Sequence, residues 1–91
     1  MKPVVVLVID DDAAHADATA EIVQRAGYLA KTAYSGTAGI EALHAGGVDI
    51  VVTDLVMRDR SGLDVIAAAS EGEAAERPRV VVVTGYGSPE A

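Results

Sequence analysis

Asp49-Ile50-Val51-Val52-Thr53-Asp54 is a short apolar run bounded by acids, and it leads directly into Leu55-Val56-Met57-Arg58-Asp59-Arg60-Ser61-Gly62. Ile and Val in so short a run, followed by a turn containing Gly, read as a strand buried on both faces, with Asp54 where it stops. In an open parallel sheet, ligands bind in the crevice beyond the carboxyl ends of the strands. Two other runs finish the same way: Val4 to Ile9 on Asp10-Asp11-Asp12, and Arg79 to Val83 on Thr84. Three buried strands thus carry the carboxylates of Asp10, Asp11, Asp12 and Asp54 and the hydroxyl of Thr84 to one edge of a sheet.

The segments between these runs have helical character. From Ala13 to Ala26 the small apolar residues Ala13, Ala16, Ala20 and Val23 recur at helical spacing, and Gly27 is a natural stop. Tyr28 to Ala33 alternates more than the other runs, which predicts an exposed edge strand. Ser35 is placed to cap a helix from Gly36 to Ala45, with Ile40 and Leu43 inward and Gly46-Gly47 at its end. After a loop from Leu55 to Arg60, Ser61 and Asp64 have capping-box spacing for a helix whose Leu63, Ile66, Ala67 and Ser70 share a face. A polar stretch, Glu71 to Pro78, separates it from the fourth strand. Strands alternating with helices build right-handed βαβ units, hence an α/β fold on a parallel sheet.

Composition narrows the function. Ninety-one residues make one small domain. Fourteen Asp and Glu against seven Lys and Arg give a net charge of -7, which argues against direct contact with nucleic acid or an anionic membrane. There is no cysteine, no apolar stretch long enough to span a bilayer and no signal-peptide layout, so a cytoplasmic, untargeted chain is expected.

Carboxylates gathered at neighbouring strand ends repel one another and call for a cation. Hard oxygen donors, few in number and leaving room for water, suit magnesium. A metal held by Asp10, Asp11 and Asp54 can bring in a phosphoryl donor while Asp54 attacks, with Thr84 offering its hydroxyl to the transferred group. Asp10 to Asp12 read equally well as a cap on the first helix. Asp54 has no such reading, because no helix begins there. His15 and His44 lie on predicted helices without a second ligand at metal spacing and read as ordinary helical residues. Asp17, Glu21, Glu41 and Glu71 read as solvated faces, and the glycines form no dinucleotide-binding loop after strand one.

Val6-Leu-Val-Ile-Asp10-Asp11-Asp12, then Asp54-Leu-Val-Met57 with Gly62 eight residues past the Asp, then Val80-Val-Val-Val-Thr84-Gly85, closely resemble the receiver domain of two-component response regulators. The resemblance covers the whole chain. It implies a flavodoxin-like, doubly wound parallel sheet in the order 2-1-3-4-5. It also implies a phosphoacceptor role for Asp54, and magnesium held by Asp10, Asp11, Asp54 and the backbone carbonyl of Val56. Thr84 would be the switch residue, and a sensor histidine kinase the phosphoryl donor. In this reading the chain is no enzyme beyond catalysing transfer to its own Asp54, and its output domain or partner protein is not specified. The wording around Asp54 and Thr84 looks most like receivers of sigma-54-dependent activators of the nitrogen-regulation type.

Two departures from the family pattern stand out. Arg58 occupies the place where the family usually has Pro, which is expected to loosen the loop and to put a positive charge near the site. The fifth strand with its lysine, the aromatic switch partner and the last helix have no counterpart. Ser88-Pro89-Glu90 announces a helix just before the sequence stops, so residues 1–91 are expected to be a receiver domain incomplete at its C-terminus, with order 2-1-3-4. An unpaired, apolar strand four would then favour self-association. Two rival functions are weighed. Asp10-Asp11-Asp12 also contains the Asp-x-Asp of haloacid dehalogenase-like phosphatases, with Asp10 as nucleophile and Asp12 as acid, a reading that leaves Asp54 idle. A docking module that is never phosphorylated is the other.

Overall fold

The structure is a computed structural model and describes residues 2–83. The first strand, β1 (Val5–Ile9), passes through a short acidic turn into α1 (Ala13–Arg25). β2 (Leu29–Ala33) and α2 (Gly36–Ala45) follow, then β3 (Ile50–Asp54), α3 (Gly62–Ala69), a 3-10 turn (Ala74–Glu76) and β4 (Arg79–Val83). All strand pairs are parallel, and the order is β2-β1-β3-β4, as expected. β2 is the edge strand that its alternation predicted.

Two cores lie on opposite faces of the sheet because side chains alternate along a strand. Leu7, Ile9 and Val51 point to the face covered by α2 and α3, where Ala33, Met57 and Val65 join them. Val6 and Val8 point to the other face, against Ala16 and Ala20 of α1. Each fully buried Leu, Ile or Val contributes roughly 1.5 to 3 kcal/mol, so β1, buried on both faces, is the centre of stability. Small residues let the helices lie close. A Cβ on Gly39 of α2 would fall less than 3.0 Å from side-chain atoms of Ile9.

The structure departs from the sequence reading in five places. β1 starts at Val5, and β3 includes Asp54 in the ladder opposite Val83. In α3 the buried stripe is Gly62, Val65 and Ala69, while Leu63 is 65% exposed. Gly62 sets this rotation, because it presses on the backbone of Asp54 and Leu55 and brings the residues three and seven positions later to the same side. Ser61 does cap α3, but its hydroxyl accepts from the N–H of Leu63 at 3.0 Å, and the side chain of Asp64 completes no capping box. Finally, β4 is not the buried strand its apolar run suggested, and among the described residues it is the unpaired edge expected at the end of the order 2-1-3-4. Only Val80 packs against the core, and Val81, Val82 and Val83 are exposed, since among the described residues nothing pairs with the outer edge of β4.

Candidate functional site

Strand register assembles the site. Ile9 pairs with Thr53, so the next residues, Asp10 and Asp54, leave neighbouring strands at the same level. Asp10 extends the ladder by one bond, donating its N–H to the carbonyl of Ala33 at 3.1 Å. Behind Asp54 the chain turns back on itself, and the N–H of Gly62 donates to the carbonyl of Leu55 at 2.7 Å. A Cβ at Gly62 would lie 2.6 Å from the carbonyl oxygen of Asp54, so only glycine allows this closure.

Oxygens of Asp10, Asp11 and Asp54 all lie within 4.8 Å of one another. Asp12, next to Asp11 in the chain, does not join this group. Asp12 turns away to cap α1, its Oδ1 accepting from the N–H of His15 at 3.1 Å. Asp10 is almost fully buried, and its Oδ1 accepts from the N–H of Asp12 at 2.9 Å. Asp54 is half-buried and, among the described residues, takes one weak bond, from the N–H of Val56 at 3.4 Å. The triplet is thus divided between residues: Asp12 caps α1, and Asp10 and Asp11 are gathered with Asp54. Thr84 lies outside the described residues.

Positive groups of the chain offset part of this charge. His15, read from sequence as an ordinary helical residue, hydrogen-bonds through Nδ1 to Oδ2 of Asp10. That bond, with the negative charge of Asp10 behind it, raises the pKa of the imidazole above its ordinary value. Arg58 was expected to loosen its loop and instead fastens it. Its N–H donates to Oδ2 of Asp11 at 2.9 Å, Nε to the same oxygen at 3.1 Å, and Nη2 to the carbonyl of Asp11 at 3.1 Å. The carboxyl of Asp11 is held below the usual range, chiefly by the backbone N–H of Arg58.

The neighbouring residue ties the loop at a second point. Oxygens of Asp59 accept from the N–H groups of Gly36 and Thr37, both at 2.9 Å, while the hydroxyl of Ser35 takes that of Ala38 at 3.0 Å. All three amides at the start of α2 are thereby satisfied. No pattern in the sequence pointed to Asp59, because its partners are more than twenty residues earlier in the chain. The fold thus places a trio of carboxylates at the C-terminal edge of a doubly wound sheet, one of them on its own strand and only weakly bonded.

Residues 6–91 match the sequence profile of the response regulator receiver domain. The chain belongs to that family. Relatives include the photosynthetic apparatus regulatory protein RegA of Cereibacter sphaeroides, 34% identical over 90% of this chain and 44% of its own length. Another is the acid tolerance regulatory protein ActR of Rhizobium meliloti, 34% identical over 90% of this chain and 41% of its own length. The receiver domain therefore spans less than half the length of these curated relatives. Among solved structures, a response regulator receiver protein from Pseudomonas putida superposes with a TM-score of 0.82, at 30% identity, covering 99% of this chain and 74% of that one. The response regulator TrrA of Thermotoga maritima, in complex with Mg2+ and BeF, gives 0.83 at 26% identity, covering 92% of this chain and 71% of that one. Family membership sets aside the phosphatase reading, in keeping with the engagement of Asp12 as a helix cap.

Receiver domains bind magnesium at an acidic pocket, and the residues present here fit that ion. Ligands about 2.1 Å from a magnesium ion lie roughly 3 to 4.2 Å apart in an octahedral shell. The oxygens of Asp10, Asp11 and Asp54 are already gathered within 4.8 Å, so small side-chain rotations close the set. Among the described residues no helix is long and apolar enough to cross a membrane.

Proposed function

We propose that this receiver domain accepts a phosphoryl group from a sensor histidine kinase onto Asp54, in the cytoplasm, with magnesium held by Asp10, Asp11, Asp54 and the backbone carbonyl of Val56. The observation that carries the reading is the placement of Asp54. It is the only one of the three clustered acids that comes from β3, and among the described residues its carboxylate takes a single 3.4 Å bond.

A carboxylate oxygen of Asp54 forms a bond to phosphorus as the bond between phosphorus and the kinase imidazole breaks. The imidazole nitrogen leaves with the electron pair and takes up a proton. Magnesium, when bound, supplies neutralisation of the negative charge on the transferred group. Asp10, kept in place by the amide of Asp12, and Asp11, kept in place by the amide of Arg58, hold that position ready. Thr84 offers its hydroxyl to an oxygen of the transferred group. The chain then acts on no substrate but its own side chain, and its phosphorylation state is read by an output domain or partner. With a net charge of -7 the segment itself makes no direct contact with nucleic acid.

The experiment is acyl-phosphate formation from a small phosphodonor in the presence of magnesium, with the adduct mapped to a residue. The native chain is expected to label on Asp54, and Asp54→Asn to stay folded and lose the label. Undiminished labelling of Asp54→Asn, or an adduct on Asp10, overturns the assignment.

A further inference from the structure

Arg58 crosses from the loop after β3 to the turn after β1, and among the described residues both of its side-chain hydrogen bonds go to Asp11. Oδ2 of Asp11 accepts two N–H groups at once, the backbone amide and Nε of Arg58. These donors do different work. The amide is neutral and orients the carboxylate whatever side chain residue 58 carries, whereas the guanidinium adds a full positive charge to a group placed beside Asp10 and Asp54. A divalent cation that takes Oδ2 of Asp11 meets that charge at contact distance. It has either to displace the guanidinium or to bear like-charge repulsion across a few ångströms. Displacement is feasible, because the Arg58 side chain is 84% exposed and an exposed ion pair is weak.

We propose that Arg58 is a resident counter-ion of the acidic site: it stands at Asp11 when no divalent cation is present, is displaced when one binds, and so sets the affinity of the site below what the carboxylates alone would give. The inference rests on the reading of Asp10, Asp11 and Asp54 as the magnesium site. It makes residue 58 the position at which magnesium affinity is tuned, with no change to any ligand.

Magnesium titrations by calorimetry on the native chain, R58A and R60A test it. R58A keeps the orienting amide and removes the charge, and R60A removes an exposed charge two residues away that makes no bond to Asp11. R58A is expected to bind magnesium about two- to fivefold more tightly than the native chain, the range set by the strength of exposed ion pairs, and R60A to match the native chain. In the native chain the Nε–H resonance of Arg58 should shift as magnesium is added, because its acceptor is taken away. Equal affinity of R58A and the native chain overturns the counter-ion role, as does equal tightening in R60A or an Nε–H signal that does not move. If neither the native chain nor R58A takes up magnesium, the metal-site reading itself fails and this inference fails with it.

Discussion

Asp59 accepts the backbone N–H of Thr37 at 2.9 Å, although the two residues stand 22 positions apart in the chain. With the amide of Gly36 on its other oxygen, the carboxyl titrates at about 2, against an ordinary value of 3.8, the Thr37 amide being the largest cause. A depressed folded-state pKa stabilises the fold above the unfolded-state value and loses that contribution as pH falls through the folded-state value. The native chain should therefore lose stability relative to Asp59→Asn between about pH 4 and pH 2, from this group alone. Urea melts of both chains at pH 7, 4, 3 and 2.5 read the difference. The native chain should lead at pH 7 and the gap should narrow in acid; a gap that stays constant with pH rules the mechanism out.

Gly62→Ala is expected to destabilise the fold by about 1 to 3 kcal/mol, the usual cost of overpacking a site that cannot relax. The added methyl group meets the carbonyl of Asp54 and the Cα of Leu55, both backbone atoms of the strand end that carries the site. Gly39→Ala meets the side chain of Ile9 instead, which can be trimmed. Ile9→Val should thus recover part of the loss in Gly39→Ala and none of it in Gly62→Ala. Denaturant midpoints of the native chain, Ile9→Val, each glycine variant and each double variant decide this, and equal recovery at both glycines counts against it.

Asp11 and Asp12 are adjacent in sequence and should separate cleanly in experiment. Asp12→Ala removes the cap of α1, at a cost of about 0.5 to 2 kcal/mol, and should leave magnesium affinity almost unchanged. Asp11→Ala should abolish most magnesium binding while costing the fold less, since among the described residues its carboxylate bonds only to Arg58 in an exposed loop. Calorimetric titration set beside a thermal melt gives both quantities. A reversed pattern, with Asp12→Ala the poorer metal binder, would show that the ligands have been assigned to the wrong acids.

A polypeptide limited to these 91 residues is expected to self-associate through β4. Val81, Val82 and Val83 are exposed, and the strand carries no inward charge, Pro or bulge from Val80 to Val83 to discourage pairing. Sedimentation across a range of concentrations should show mass rising with concentration, and Val82→Lys should suppress the rise. A concentration-independent monomer is the contrary result.

How far the sequence could be read depended on the distance over which each residue acts. Strands β1 and β3 and helix α2 were legible because their signals are local: a short Val and Ile run, a Ser cap, a Gly-Gly stop. The candidate acids were legible because they sit at strand ends, and strand ends converge in a parallel sheet. What escaped was set by contacts between distant segments. Arg58 looked like a loosened loop because the missing Pro is visible at position 58, while its grip on Asp11, 47 residues back, is not. His15 looked generic because its partner Asp10 lies across the cap, outside helical spacing. The rotation of α3 could not be chosen from hydrophobicity alone, since Leu63 is as good an apolar candidate for burial as Val65 and the backbone contact at Gly62 decides between them.

The pairing of Ile9 with Thr53 has a consequence for how such a site can vary. A strand slipped by one residue moves about 3.3 Å and turns every side chain to the opposite face. For β3 that would turn Val51 and Thr53, both fully buried, to the half-buried face now held by Ile50 and Val52, and lift Asp54 out of level with Asp10. The spacing of the acids is therefore quantised by the pleat and defended by the core, with no intermediate setting available to the backbone. Variation in chemistry has to come from side chains at the rim, where residues such as Val56 and Arg58 can change without asking the sheet to move.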